Sequence, residues 1–190
     1  ALTAWLEPKA DPLWKISVLP RGQAAGVTLY HPDEDRIDLS KSEFMARLVT
    51  AMGGRAADRA VFGESMAGAA GDLKQATRMA RMMVTQFGMS DKIGHIDYAN
   101  EQQSYLGVYG GGTNHSAETQ KLIDEEVRRM IDEGFETARK ILTDKHDDLV
   151  RLAEGLLEYE TLTGNEIARV IAGEALNRGD DKDDMQTPRG

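Results

Sequence analysis

From residue 40 onward, apolar side chains recur every three or four positions, a spacing that predicts a mostly helical chain. Phe44, Leu48, Val49 and Met52 form one stripe, and Leu73, Ala76, Met79, Ala80, Met83 and Phe87 form another. The longest stripe, within about 116–143, is Ile123, Val127, Met130, Ile131, Ala138, Ile141 and Leu142. Two capping boxes mark helix starts: Ser40 with Glu43, and Thr163 with Glu166. In each, a hydroxyl and a carboxylate satisfy N–H groups that a helix start leaves free. The second opens a helix that should bury Ile167, Val170 and Ile171, and a further helix covers about 145–158. Gly53-Gly54 predicts a break in the helix from 41, followed by a short helix Arg55–Phe62 that Gly63 closes. A third helix is predicted over Asp72–Phe87, with Gly88 as its left-handed cap.

The first forty residues read differently. Ala1–Glu7 have the composition of a helix, and Pro8 and Pro12 stop it. Short strands follow at Lys15–Leu19 and Gly26–Tyr30, with Pro20-Arg21-Gly22 as turn chemistry between them. Within the irregular stretch 89–115, Ile93–Tyr98 is a candidate strand and Gly107–Gly112 a flexible tip. The fold class is therefore mainly α-helical (α+β), with a small two- to three-stranded sheet near the N-terminus. One domain is expected over 1–178, and a disordered acidic tail over 179–190.

Charge narrows the function. The chain has 190 residues and a net charge of -9, which argues against a nucleic-acid partner, since neutralising phosphates needs clustered Lys and Arg. It has no cysteine, so disulfides and thiolate metal sites are excluded. No apolar run approaches the roughly 18 residues of a membrane helix.

Few residues offer chemistry. The four histidines are His31, His95, His115 and His146, and no two stand four residues apart. The His-x-x-x-His spacing that sets two zinc ligands on one helix face is thus missing. All four histidines read as surface residues. Gly110-Gly111-Gly112 lacks the Gly-Lys-Ser/Thr of a phosphate loop, and the Met79, Met82, Met83, Met89 cluster reads as adaptable core filling. Asp72 follows the small-residue run Ala67-Gly68-Ala69-Ala70-Gly71, and from its local context it reads as a helix N-cap.

A series of short motifs, in order, changes the weight on Asp72. They are Asp11-Pro12, Ile16-Ser17-Val18-Leu19-Pro20-Arg21-Gly22, Gly26-Val27-Thr28-Leu29, Gly53-Gly54-Arg55-Ala56-Ala57 and Val61-Phe62-Gly63. Gly68-Ala69, Asp72-Leu73, Met83-Val84-Thr85, Gly88-Met89-Ser90, Ile123-Asp124-Glu125-Glu126-Val127 and Glu160-Thr161-Leu162 continue the series. Over roughly residues 1–175 the chain resembles the protease domain of the FtsH family, membrane-anchored, ATP-driven zinc metalloproteases.

The resemblance implies that Asp72 is the third zinc ligand. The other two would be histidines of a His-Glu-x-x-His helix that runs into a segment like Ala1–Leu6, and its Glu would be the general base. That motif and the ATPase module, which uses ATP and Mg2+, are not in this sequence, so it reads as a piece of a longer protein, inactive by itself. The resemblance further implies a homo-hexamer acting on unfolded proteins, anchored in the inner (plasma) or an organellar membrane by segments outside this chain, with this domain facing the cytoplasm. Substrate would add as a strand beside Gly26, Val27 and Thr28, because backbone pairing is indifferent to side chains. The alternative is a non-catalytic helical module for hexamer assembly.

Overall fold

The computed structural model describes residues 1–20, 26–31, 38–98 and 115–176. They fall into two compact units, the first built from 1–12 and 32–144, the second from 13–31 and 145–190. The tip Gly107–Gly112 and the tail 179–190 lie outside the described residues.

The first unit is helical: α1 (Leu2–Leu6), α2 (Lys41–Phe62), a 3-10 turn (Ala67–Ala69), α3 (Ala70–Thr85) and α4 (Ala117–Asp144). The capping box predicted for α2 forms, with Ser40 N–H donating to Glu43 Oε2 at 2.8 Å and Glu43 N–H to Ser40 Oγ at 3.4 Å. Gly63 closes α2 in the left-handed region at φ 76°.

The predicted break at Gly53-Gly54 is wrong, because α2 runs through both glycines as one helix of 22 residues. Glycine costs a helix interior about 1 kcal/mol relative to alanine, but here the missing side chain lets another helix approach. A Cβ on Gly53 would lie 2.3 Å from Thr3 Oγ1 of α1, and Thr3 is buried there. Gly134 of α4 serves the same end, since its Cβ would meet Leu48 Cβ at 3.2 Å. Leu48, Met52, Met83, Ile123 and Met130 are fully buried and fill the space between α2, α3 and α4.

The expected α4 stripe holds for Ile123, Val127, Met130, Ala138 and Leu142, which are buried, while Ile131 and Ile141 are half-covered. Of the methionines read as core filling, Met83 is buried and Met79, Met82 and Met89 are half-covered.

The second unit contains β1 (Leu13–Ser17), β2 (Val27–Tyr30), α5 (His146–Tyr159), β3 (Thr161–Thr163) and α6 (Gly164–Ile171). Its antiparallel sheet has the order β2-β1-β3. The first strand begins two residues earlier than expected, with an irregularity at Trp14 that turns this side chain outward. Gly26 precedes β2 because the backbones approach closely there: a Cβ would sit 2.6 Å from Ser17 O.

The candidate strand Ile93–Tyr98 is not a strand. That segment turns back on α3, and Tyr98 N–H donates to Thr85 O at 2.8 Å. The third strand is Thr161–Thr163, whose Leu162 pairs with Ile16 and is completely buried. Val18 N–H donates to Glu160 O at 2.9 Å, and the Ser17 and Thr161 hydroxyl oxygens lie 2.8 Å apart. The second capping box begins on the last residue of this strand, with Thr163 N–H donating to Glu166 Oε2 at 2.8 Å. In α6 it buries Ile167 and Val170, and Ile171 is half-covered. No described helix is long and apolar enough to cross a membrane.

Candidate metal centre

The 3-10 turn Ala67–Ala69 feeds directly into α3, because Ala70 N–H donates back to Ala67 O and the following residues continue the helix. The N-cap is Ala69, and no side chain caps this helix. Asp72 therefore stands in the first turn and is not the cap that its local sequence suggests. Alanine is the best helix former, so Ala69-Ala70 start the helix before Asp72 is reached. In the first turn its negative charge complements the helix dipole.

The Asp72 side chain is exposed, and its carboxylate makes no hydrogen bond or side-chain ion pair with any described residue. It faces two groups of the same unit. A Cβ on Gly54, in the middle of α2, would stand 3.5 Å from Asp72 Oδ2. The head of α1, at Ala1, also lies within electrostatic reach of Asp72. Trp5 N–H donates to Ala1 O at 3.0 Å, so the first turn of α1 already begins at Ala1. The start of α1, the middle of α2 and the start of α3 thus bring Ala1, Gly54 and Asp72 to one place.

No described histidine joins them. His31, His95 and His146 are exposed as expected, and the His31 ring packs 6.4 Å from Trp14. His115 is half-covered, with Nε2 2.7 Å from Gln120 Oε1 and its ring edge-on to Tyr98. Among the described residues no three His, Asp or Glu side chains converge as a metal-binding group. What the described residues offer at this place is one accessible carboxylate, a donor that zinc accepts at about 2.0–2.2 Å.

One group escaped the sequence reading. Glu126 interrupts the apolar stripe of α4 three residues after Ile123, and it is only 2% exposed. Ser90 Oγ donates to its Oε2 at 2.7 Å, Lys92 Nζ lies 3.1 Å from Oε1, and Arg129 donates to both oxygens at 3.1 Å. Arg129 above all, then Ser90 and Lys92, lower the Glu126 pKa to about 2, against the opposing effect of burial. This network fixes the segment after α3 to α4. A charged residue inside an apolar stripe was the signal that could have revealed it.

The family model of Peptidase family M41 matches residues 1–170. The chain belongs to peptidase family M41. Its M41 relatives include an "ATP-dependent zinc metalloprotease FtsH" from Akkermansia muciniphila, 42% identical over 174 residues, covering 90% of this chain and 21% of that protein. A protein of the same name from Caulobacter vibrioides is 44% identical over 177 residues, covering 91% of this chain and 28% of its own length. Another from Neorickettsia risticii is 39% identical over 188 residues, covering 96% and 28%. The chain spans between a fifth and a third of these relatives. The family resemblance drawn from the ordered motifs therefore holds, from the segment of Ala1 to the last turn of α6.

Proposed function

We propose that this M41 chain is the proteolytic domain of a membrane-anchored, ATP-dependent zinc metalloendopeptidase that degrades membrane and damaged proteins, and that Asp72 is a zinc ligand. The observation that carries this is the Asp72 carboxylate itself. Among the described residues it makes no hydrogen bond, and it stands beside Gly54 and toward the head of α1, to which a His-Glu-x-x-His segment would be joined.

Zinc, when bound, supplies an acidified water and polarises the scissile carbonyl. Asp72 contributes one anionic oxygen to hold the ion, on a helix first turn whose backbone dipole favours that charge. Substrate backbone adds at Gly26, Val27 and Thr28. Supporting this, β2 stands at an edge of the sheet among the described residues, the position where an added strand can pair. Hexamer assembly, a membrane anchor with this domain on the cytoplasmic side, and an ATPase module using ATP and Mg2+ complete the machine. The relatives' names support the ATP requirement.

A second reading, a non-catalytic helical assembly module, draws on the lack of a three-ligand cluster among the described residues. Zinc content separates the two. The intact protein should hold stoichiometric zinc and degrade casein with ATP, and Asp72→Asn should lose both. Full zinc and undiminished proteolysis in Asp72→Asn would remove Asp72 from the site, and a zinc-free intact protein would favour the assembly module.

A further inference from the structure

Two adjacent glycines in the middle of a helix require an explanation, because glycine is the poorest helix former apart from proline. Packing explains Gly53, which is buried and lies where Thr3 of α1 leaves no room for a side chain. Packing does not explain Gly54. It is exposed, and a Cβ there would meet nothing within 4 Å except Asp72 Oδ2, at 3.5 Å. That is ordinary contact, so the fold has room for alanine, and alanine would strengthen α2.

We propose that Gly54 is a positioning residue for the metal that Asp72 holds: it keeps the approach to Oδ2 clear. This rests on the reading of Asp72 as a ligand. A zinc ion stands about 2.0–2.2 Å from a carboxylate oxygen and brings further ligands around it. A methyl group in contact with Oδ2 occupies part of that space. Gly54 thus acts through Asp72 and touches neither substrate nor metal. The doublet divides its work, with Gly53 admitting α1 and Gly54 leaving open the site beside the head of α1.

The test uses the intact protein as wild type, Gly54→Ala and Asp72→Asn. Zinc affinity is measured by chelator competition, and the thermal transition of the zinc-stripped protein is measured alongside. Gly54→Ala should bind zinc roughly 10-fold or more weakly, the scale seen when groups supporting a metal ligand are altered. Its zinc-free Tm should equal or exceed that of wild type, since alanine favours the helix. That opposed pair is what a merely structural glycine cannot produce. If zinc affinity is unchanged while Asp72→Asn is zinc-depleted, the role of Gly54 is overturned and the ligand reading stands. A lowered zinc-free Tm in Gly54→Ala would assign its effect to folding and likewise overturn the proposal. Wild-type zinc binding by Asp72→Asn would overturn both.

Discussion

Ser90 and Glu126 meet inside the helical unit, where the serine hydroxyl donates a 2.7 Å hydrogen bond to a carboxylate that is almost completely buried. The bond joins the segment that follows α3 to the middle of α4. Burying a carboxylate is costly unless its oxygens are paired, and here Ser90, Lys92 and Arg129 occupy both of them.

The pH dependence of folding follows from that arrangement. The Glu126 carboxyl is lowered from 4.5 to about 2, so its stabilisation is complete above 4.5 and is lost as pH falls toward 2. A shift of this size corresponds to at most about 3 kcal/mol, reduced because Lys92 and Arg129 remain partly in water. Glu126→Gln should lower stability at pH 7 by roughly 2 kcal/mol and flatten the fall between pH 4.5 and 2. Urea unfolding across that range checks this, and parallel acid limbs in the two proteins would place the linkage elsewhere.

Gly155 of α5 lies directly under Val170 of α6, where a Cβ would fall 2.7 Å from Val170 Cγ1. Gly155→Ala should therefore destabilise by about 1–3 kcal/mol through overpacking, despite alanine's better helix propensity. Val170→Ala alone should also destabilise, by emptying part of a buried site. The double variant should be more stable than the sum of the two losses predicts, because each change relieves the other. Additive losses in thermal unfolding would show that these residues do not compete for space.

Glu160 sits in the left-handed region at φ 60°, between α5 and β3. Its side chain is exposed, while its carbonyl accepts the N–H of Val18. Glu160→Gly should raise stability by roughly 0.5–1 kcal/mol, since glycine adopts this conformation without strain. Glu160→Val should lower it, because a branched Cβ aggravates the clash. Thermal melts showing no difference between the two variants would remove strain as the cause.

Asp72 does not cap α3, so its removal should barely disturb folding. Asp72→Ala should cost at most about 0.5 kcal/mol from the lost helix-dipole interaction, less than the roughly 1 kcal/mol of a lost N-cap. Chemical unfolding without zinc provides the measurement, and a loss well above 1 kcal/mol would show that the carboxylate supports structure in a way its exposed position does not suggest.

Much of this molecule follows from neighbours along the chain. Each capping box joins groups three residues apart, so Ser40 with Glu43 and Thr163 with Glu166 start helices wherever the rest of the chain lies. The stripe of α4 repeats over a long span and places Ile123, Val127 and Met130 on one face without outside help. Family membership was also legible, because the motifs from Asp11-Pro12 to Glu160-Thr161-Leu162 keep their order.

Distant partners decided the rest. Gly53-Gly54 resembles a break until Thr3 stands against Gly53, and that close approach explains the first glycine of an unbroken α2, while Gly54 has only Asp72 Oδ2 near it. Ile93–Tyr98 and Thr161–Thr163 are both short and rich in strand-forming residues, but only the second meets β1, through pairing across more than a hundred residues. The pairing of Glu126 with Ser90 depends on folding the segment after α3 onto α4. The same holds for the proposed metal ligand: the family resemblance singles out Asp72, whereas the packing of α1, α2 and α3 sets its carboxylate beside Gly54 and toward the head of α1. Short-range hydrogen bonds and helical periodicity are written into consecutive residues, but which surfaces come close enough to exclude a side chain is settled only when the whole chain packs.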